Sequence, residues 1–89
     1  MNDIADWRSC IDEIDVQLLK LLNERARCAC EIGKIKAHKA MKIYNPARER
    51  EILARLRDQN GGPLPDAAIQ NIFEQIIDEC RSLEKNREI

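Results

Sequence analysis

The sequence has 89 residues, of which 44% are hydrophobic and 35% are charged, with a formal net charge of −1. These values fit one folded domain over residues 1–89, and they disfavour a disordered chain, a strongly basic nucleic-acid-binding protein and a membrane-spanning protein. One Val, no Thr and three aromatic residues are too few for a sheet protein, so we predict an all-α fold of three helices.

The first predicted helix is very long and covers residues 4–41. Its apolar positions recur in steps of three and four: Ile4, Trp7, Ile11, Ile14, Leu18, Leu21, Cys28, Ile32 and Ile35. At ~1.5 Å per residue such a helix is roughly 50 Å long, whereas a compact chain of this size is about 30 Å across. The overhanging apolar stripe must therefore be covered, and we predict an intertwined homodimer that shares its core.

Two shorter helices are predicted, a short one over residues 46–59 and a medium one over residues 66–86. Asn45 before Pro46 is typical of a helix start, with a capping residue followed by proline at the first helical position. Asn60 and the Gly-Gly-Pro run after it end this helix, and Asp66 is expected to cap the third.

Charged residues interrupt the apolar faces of these helices. Arg25 stands where the stripe of the first helix requires an apolar residue, and Lys36 lies only about 20° from it around the helix axis and ~16 Å along it. Two basic side chains at that spacing can grip a small dianion. Glu49 and Glu84 also face inward, on the second and third helices. Arg8 points about 100° away from Arg25, so it would serve the pocket of a partner chain rather than its own.

Buried unpaired charges cost several kcal/mol, so these residues are expected to be paired or functional. The simpler interpretation is an internal ion pair, such as Arg25 with Glu49, or side chains that extend outward to solvent. Charges on three helices together favour a binding site. With Arg8 and Arg48 included, cations outnumber carboxylates, which suits a small carboxylate ligand.

No motif for a catalytic triad, a phosphate-binding loop, a metal cluster or a cofactor is recognisable, so we expect neither metal nor cofactor. The first ten residues lack the pattern of a signal peptide, and the four cysteines are therefore expected to be thiols in a reducing cytoplasm. An enzyme of this composition would act by positioning its substrate and by electrostatics.

Several runs of the sequence resemble the all-helical class of chorismate mutases: RSCIDEID from Arg8, LLKLLNERARCACEIGKIK up to Lys36, YNPARERE from Tyr44, and FEQII from Phe73. Together they cover nearly the whole chain at the spacing of that family. The resemblance implies an intertwined homodimer with two active sites. Each would convert chorismate to prephenate by a Claisen rearrangement in phenylalanine and tyrosine biosynthesis.

The resemblance also implies roles for individual residues. Arg25 and Arg8 of the partner subunit would bind the two substrate carboxylates, and Lys36 would donate a hydrogen bond to the ether oxygen. Glu84 stands where some members have Gln, as a second donor to that oxygen. Because an ionised carboxylate cannot donate, Glu84 would act only when protonated, and activity would be highest at mildly acid pH.

The remaining implied roles concern binding. Arg48 would complete the carboxylate site and orient its neighbours, and Glu49 would hold the ring hydroxyl. Asn45 matches a position, often Asp, at the pocket edge, and Cys80 would line the pocket.

Three alternatives remain open. An isochorismate-pyruvate lyase has the same fold and a similar pocket, but such lyases tend to have an apolar residue at the position of Glu49. A mutase-like regulatory or binding domain without catalysis is the second. The third is a purely structural helical dimer, which leaves Arg25 and Lys36 on an apolar stripe without explanation.

Overall fold

Three α-helices in succession make up the computed structural model, which describes residues 3–86. They are α1 (Ile4–His38), α2 (Pro46–Gln59) and α3 (Asp66–Asn86). No strand occurs within the described residues. The predicted all-α fold is therefore confirmed.

Helix α1 begins with a side-chain cap and ends in a left-handed turn. The Asp3 carboxylate accepts a hydrogen bond from the Asp6 amide at 3.0 Å. At the other end Ala40 has φ +55°, and the Met41 amide donates to the Lys36 carbonyl at 2.8 Å, an arrangement of the Schellman type. The helix thus ends at His38, three residues before the predicted end, because the chain reverses at Ala40.

Asparagine side chains define the two helix junctions. The Asn45 side chain caps α2 by accepting from the Arg48 amide at 3.1 Å, with Pro46 at the start of the helix, as predicted. Asn60 donates to the Leu64 carbonyl at 2.8 Å and to the Asp66 carboxylate at 2.9 Å. Asp66 is the first residue of α3, so Pro65 takes the cap position before the helix, and the Asp66 carboxylate bonds a loop side chain instead of acting as the expected cap.

Helix α3 packs against both other helices, whereas α1 and α2 do not pack directly on each other in the described part of the chain. The buried residues are few: Ala29 and Gly33 on α1, and Ile77 and Cys80 on α3. The small residues of α1 allow α3 to approach closely. A cavity remains between the three helices.

A large apolar surface is left uncovered by this single chain. The N-terminal half of α1 exposes its stripe, with Trp7 at 57%, Ile11 at 54% and Leu18 at 51% accessible. The molecule measures 55 × 27 × 15 Å, and its radius of gyration is 16.3 Å against about 12 Å for a compact chain of this length. Ile72 on α3 is also exposed.

None of the helices in residues 3–86 is long and apolar enough to cross a lipid bilayer.

Candidate active site

A cavity of about 360 Å³ lies where the three helices meet, a size typical of small-molecule sites. Its charged and polar lining residues are Arg25, Lys36, Asn45, Arg48, Glu49, Arg81 and Glu84. The apolar floor comes from residues such as Ala29, Ile52, Ile77 and Cys80. Seven of the eight site residues proposed from the sequence therefore surround one cavity, and Arg8 does not.

Lys36 extends from the last turn of α1 into this cavity. Its ammonium donates to the Ile43 carbonyl at 3.0 Å and lies 3.3 Å from Glu84 Oε1 on α3. Both side chains are largely buried, with 15% and 13% of their surfaces accessible. The early end of α1 produces this arrangement, because the chain reversal at Ala40 brings Ile43 back beside Lys36.

Glu84 presents an incompletely satisfied oxygen to the cavity. Its Oε1 atom is buried and accepts no hydrogen bond of normal geometry, although the Lys36 ammonium is close. A buried acceptor left without a hydrogen bond costs about 1–3 kcal/mol, and more when it is charged. Such a group can be satisfied by a proton of its own or by a ligand donor.

Glu49, in the first turn of α2, is paired across the cavity wall with α3. Arg81 Nη1 donates to Glu49 Oε2 at 2.5 Å, and Arg81 Nη2 donates to Asp78 at 2.6 Å. The simpler interpretation of the sequence, an internal ion pair of Glu49 with Arg25, is not observed. Arg81 occupies the carboxylate instead because α3, not α1, lies against the start of α2.

Arg25 and Arg48 supply further positive charge to the cavity. Within residues 3–86 no carboxylate lies at ion-pair distance from Arg25, which is only partly exposed. Arg48 pairs at the surface with Glu51, one turn along α2. The Asn45 oxygen is already used as the cap of α2, so its amide NH₂ is the group left to face a ligand.

Arg8 lies far from the cavity of its own chain. It is exposed in the second turn of α1, 17 residues before Arg25, which corresponds to ~26 Å along the helix. An arginine side chain cannot span that distance. Any contribution of Arg8 to such a cavity must be made to another copy of the chain.

Sequence reasoning missed Arg81 and Tyr44. Tyr44 lies in the loop before α2, and the Arg81 guanidinium lies over its ring, 5.0 Å from the ring centroid. Arg81 was detectable, because it follows buried Ile77 by four positions and so falls on the inner face of α3. No periodicity marks Tyr44, since it lies outside the helices.

The cavity carries a net positive charge. Four cations and two carboxylates line it, which leaves an excess of two positive charges before outside ion pairs are counted. Such a lining favours a dianion over a neutral ligand. In the described part of the chain, no group of His, Cys, Asp and Glu side chains is arranged to hold a metal ion.

Comparison with known proteins identifies close relatives. A profile of the family described as chorismate mutase type II matches residues 7–85. The bifunctional chorismate mutase/prephenate dehydratase of Neisseria gonorrhoeae is 44% identical over 78 residues, which cover 88% of this chain and 21% of that protein. The chain spans only 21–25% of the length of this and three other bifunctional relatives.

Two solved structures share the fold. Chorismate mutase from Thermus thermophilus, in its form II, superposes with a TM-score of 0.92 at 36% identity, covering 93% of this chain and 94% of that one. Chorismate mutase from Helicobacter pylori in complex with prephenate superposes with a TM-score of 0.87 at 30% identity, covering 94% and 91%.

Proposed function

The chain belongs to the type II chorismate mutase family, and from this premise we propose that it catalyses the Claisen rearrangement of chorismate to prephenate. The observation that carries the proposal is the cavity itself, where Arg25, Lys36, Glu49 and Glu84 converge. The prephenate bound by the similar Helicobacter pylori enzyme supports the same ligand class. The reaction is an isomerisation that serves aromatic amino-acid biosynthesis.

The chemistry suits a site without a nucleophile. The ether C–O bond of chorismate breaks while a C–C bond forms between the enolpyruvyl arm and the ring, and no atom enters or leaves. The protein must hold the flexible arm over the ring in a chair-like geometry. The arm then loses its conformational freedom on binding, so the activation barrier of the reaction itself is lower. Arg25, which lacks an ion-pair partner in residues 3–86, is positioned to bind one carboxylate for this purpose.

Lys36 is the proposed electrostatic catalyst. Bond breaking runs ahead of bond formation, so negative charge grows on the ether oxygen in the transition state. A donor aimed at that oxygen stabilises the transition state more than the ground state. Lys36 Nζ has three protons, and one of them is donated to Ile43 O, so the ammonium can still donate to a substrate beside Glu84.

Glu84 is proposed as a second donor to the ether oxygen, in its protonated form. The support for a role at this oxygen is its position, since the largely buried Glu84 side chain lines the cavity beside Lys36. In that form it would donate its proton to the same developing charge.

The other lining residues are proposed to bind substrate. Glu49 would accept a hydrogen bond from the ring hydroxyl, and Arg48 would complete the carboxylate site and orient its neighbours. Asn45 would contribute at the cavity edge through its free NH₂ group, and buried Cys80 would provide apolar lining.

We further propose that the active unit is a homodimer. An exposed apolar stripe along half of a 35-residue helix is far larger than a monomer normally leaves uncovered. A second copy with the same stripe would cover it under two-fold symmetry. The same symmetry would carry Arg8 of each copy to the cavity of the other, where it would bind the second substrate carboxylate. Sedimentation equilibrium should give twice the mass of the chain.

The cytoplasm is the proposed location. All four cysteines are free thiols, the state that a reducing compartment maintains.

The direct test is incubation with chorismate, followed by ultraviolet absorbance and product analysis. Loss of chorismate with formation of prephenate supports the mutase. Release of pyruvate from isochorismate, without turnover of chorismate, would indicate the lyase instead. Binding of chorismate without turnover would indicate a regulatory or binding domain. The ion-paired Glu49 in the cavity favours the mutase over the lyase.

A further inference from the structure

Arg81 is a charged residue of the cavity to which the proposed reaction assigns no role. It is held from three sides, by Glu49 at 2.5 Å, by Asp78 at 2.6 Å and by the face of Tyr44 at 5.0 Å. Only 27% of its side chain is accessible. An arginine with so many partners has few other conformations available, so it is a fixed element of the cavity wall.

The ion pair with Arg81 uses one carboxylate oxygen of Glu49 and, in the described part of the chain, leaves the other oxygen without a hydrogen-bond donor. Arg81 Nη1 bonds Oε2, and within residues 3–86 no group donates a hydrogen bond to Glu49 Oε1. The side chain of Glu49 is 26% accessible and lines the cavity. A carboxylate fixed at one oxygen presents the other in a defined direction, as a ready acceptor for a ligand hydroxyl.

The charge of Arg81 has a second consequence. An isolated carboxylate in the cavity would repel a dianionic ligand across a medium of reduced dielectric constant. The guanidinium beside Glu49 offsets this repulsion while leaving the acceptor in place. Surface ion pairs usually contribute little free energy, because both side chains lose entropy when they are ordered. Asp78 and Tyr44 already order Arg81, so its pairing with Glu49 loses less entropy.

We propose that Arg81 is a positioning residue for substrate binding, which acts by holding Glu49 Oε2 so that Oε1 receives the ring hydroxyl. This inference rests on the proposed mutase function and adds a residue to it. Arg81 itself does not touch the substrate. Its effect on the reaction must therefore pass through Glu49.

A double-mutant cycle tests that dependence. With Glu49 intact, Arg81→Gln should lower kcat/KM for chorismate by about tenfold, mainly through a higher KM. In a Glu49→Gln background the same change should cost less than about twofold, because the carboxylate that Arg81 holds is gone. Arg57→Gln, the same substitution at an exposed arginine of α2 that does not line the cavity, should leave kcat/KM unchanged.

The possible outcomes are distinct. Equal losses in the two backgrounds would overturn the inference and reduce Arg81 to a structural link between α2 and α3. If circular dichroism shows that Arg81→Gln does not fold, Arg81→Lys takes its place in the cycle under the same criterion. A wild-type chain that does not convert chorismate would overturn the proposed function and this inference together, whereas an active chain with additive losses overturns the inference alone.

Discussion

Lys36 and Glu84 form the chemical centre of the cavity. The ammonium lies 3.3 Å from a buried carboxylate oxygen and donates at 3.0 Å to a backbone carbonyl. Both side chains are mostly shielded from water, so their interaction with a developing charge is stronger than it would be at the surface. In the proposed mechanism these two side chains are the hydrogen-bond donors to the ether oxygen.

Replacing Lys36 tests the first of these donors. Lys36→Met should lower kcat by about 10²–10³-fold with a smaller change in KM, because the donor acts mainly in the transition state. Lys34→Met is the matched control, since Lys34 is on the same helix, 57% accessible and paired with Glu31 outside the cavity. Steady-state kinetics of both variants, with circular dichroism to verify folding, would make the comparison. Equal losses of kcat in the two variants would contradict the proposed role of Lys36 as a donor to the ether oxygen.

Glu84 is the proposed second donor. Replacing it by glutamine tests this role, because an amide NH₂ group can donate a hydrogen bond at any pH. The charged groups that share its cavity are Lys36 and Arg25 from α1, Arg48 and Glu49 from α2, and Arg81 from α3. Glu84→Gln carries a permanent NH₂ donor and should retain most of the wild-type kcat, whereas Glu84→Met, which has no donor, should lower kcat by about 10²-fold.

The control for this prediction is Glu79→Gln, on the exposed side of α3, where the carboxylate accepts from Gln75 at 2.8 Å. It should retain the wild-type kcat. A Glu84→Met variant that retains the wild-type kcat would show that Glu84 donates no hydrogen bond to the reaction.

The ends of the helices determine where the site residues lie. Asn45 caps α2 and thereby fixes the first turn that carries Arg48 and Glu49. The reversal at Ala40 ends α1 and returns Ile43 to the Lys36 ammonium. The helix caps thus act on function indirectly, by setting the positions of charged groups on adjoining elements.

The left-handed turn at Ala40 supports a prediction about stability. Alanine at φ +55° is strained relative to glycine, so Ala40→Gly should raise the free energy of unfolding by about 1 kcal/mol. Ala26→Gly, in the interior of α1, should lower it by about the same amount because glycine is a poor helix former. Urea unfolding at a fixed protein concentration measures both. A lower free energy of unfolding for Ala40→Gly would contradict the left-handed conformation of Ala40.

The sequence predicted the elements with regular signals better than it predicted contacts between them. Periodicity indicated an all-helical chain, and charges on apolar faces indicated the residues that line the cavity. The end of α1 was misplaced because Ala40 occupies a conformation that glycine usually marks. The ion pair of Glu49 with Arg81 was not predicted, because helical periodicity gives the face of a residue but not the helix that packs against it.

At the scale of the whole molecule, the exposed stripe of α1 and the distance of Arg8 from its own cavity have one explanation. A second copy that covers the stripe would also supply the missing cation. Catalysis and assembly would then depend on the same long helix. A folded single chain would have an incomplete site.

Complementation between two inactive variants tests the shared electrostatic site most directly. Arg8→Gln and Arg25→Gln homodimers should each lose most activity, since each lacks one carboxylate-binding group in both sites. Coexpression of the two variants should restore roughly a quarter of wild-type activity, because half of the dimers are mixed and each mixed dimer has one intact site. Activity that remains at the level of the separate variants, in dimers shown to be mixed, would contradict the account.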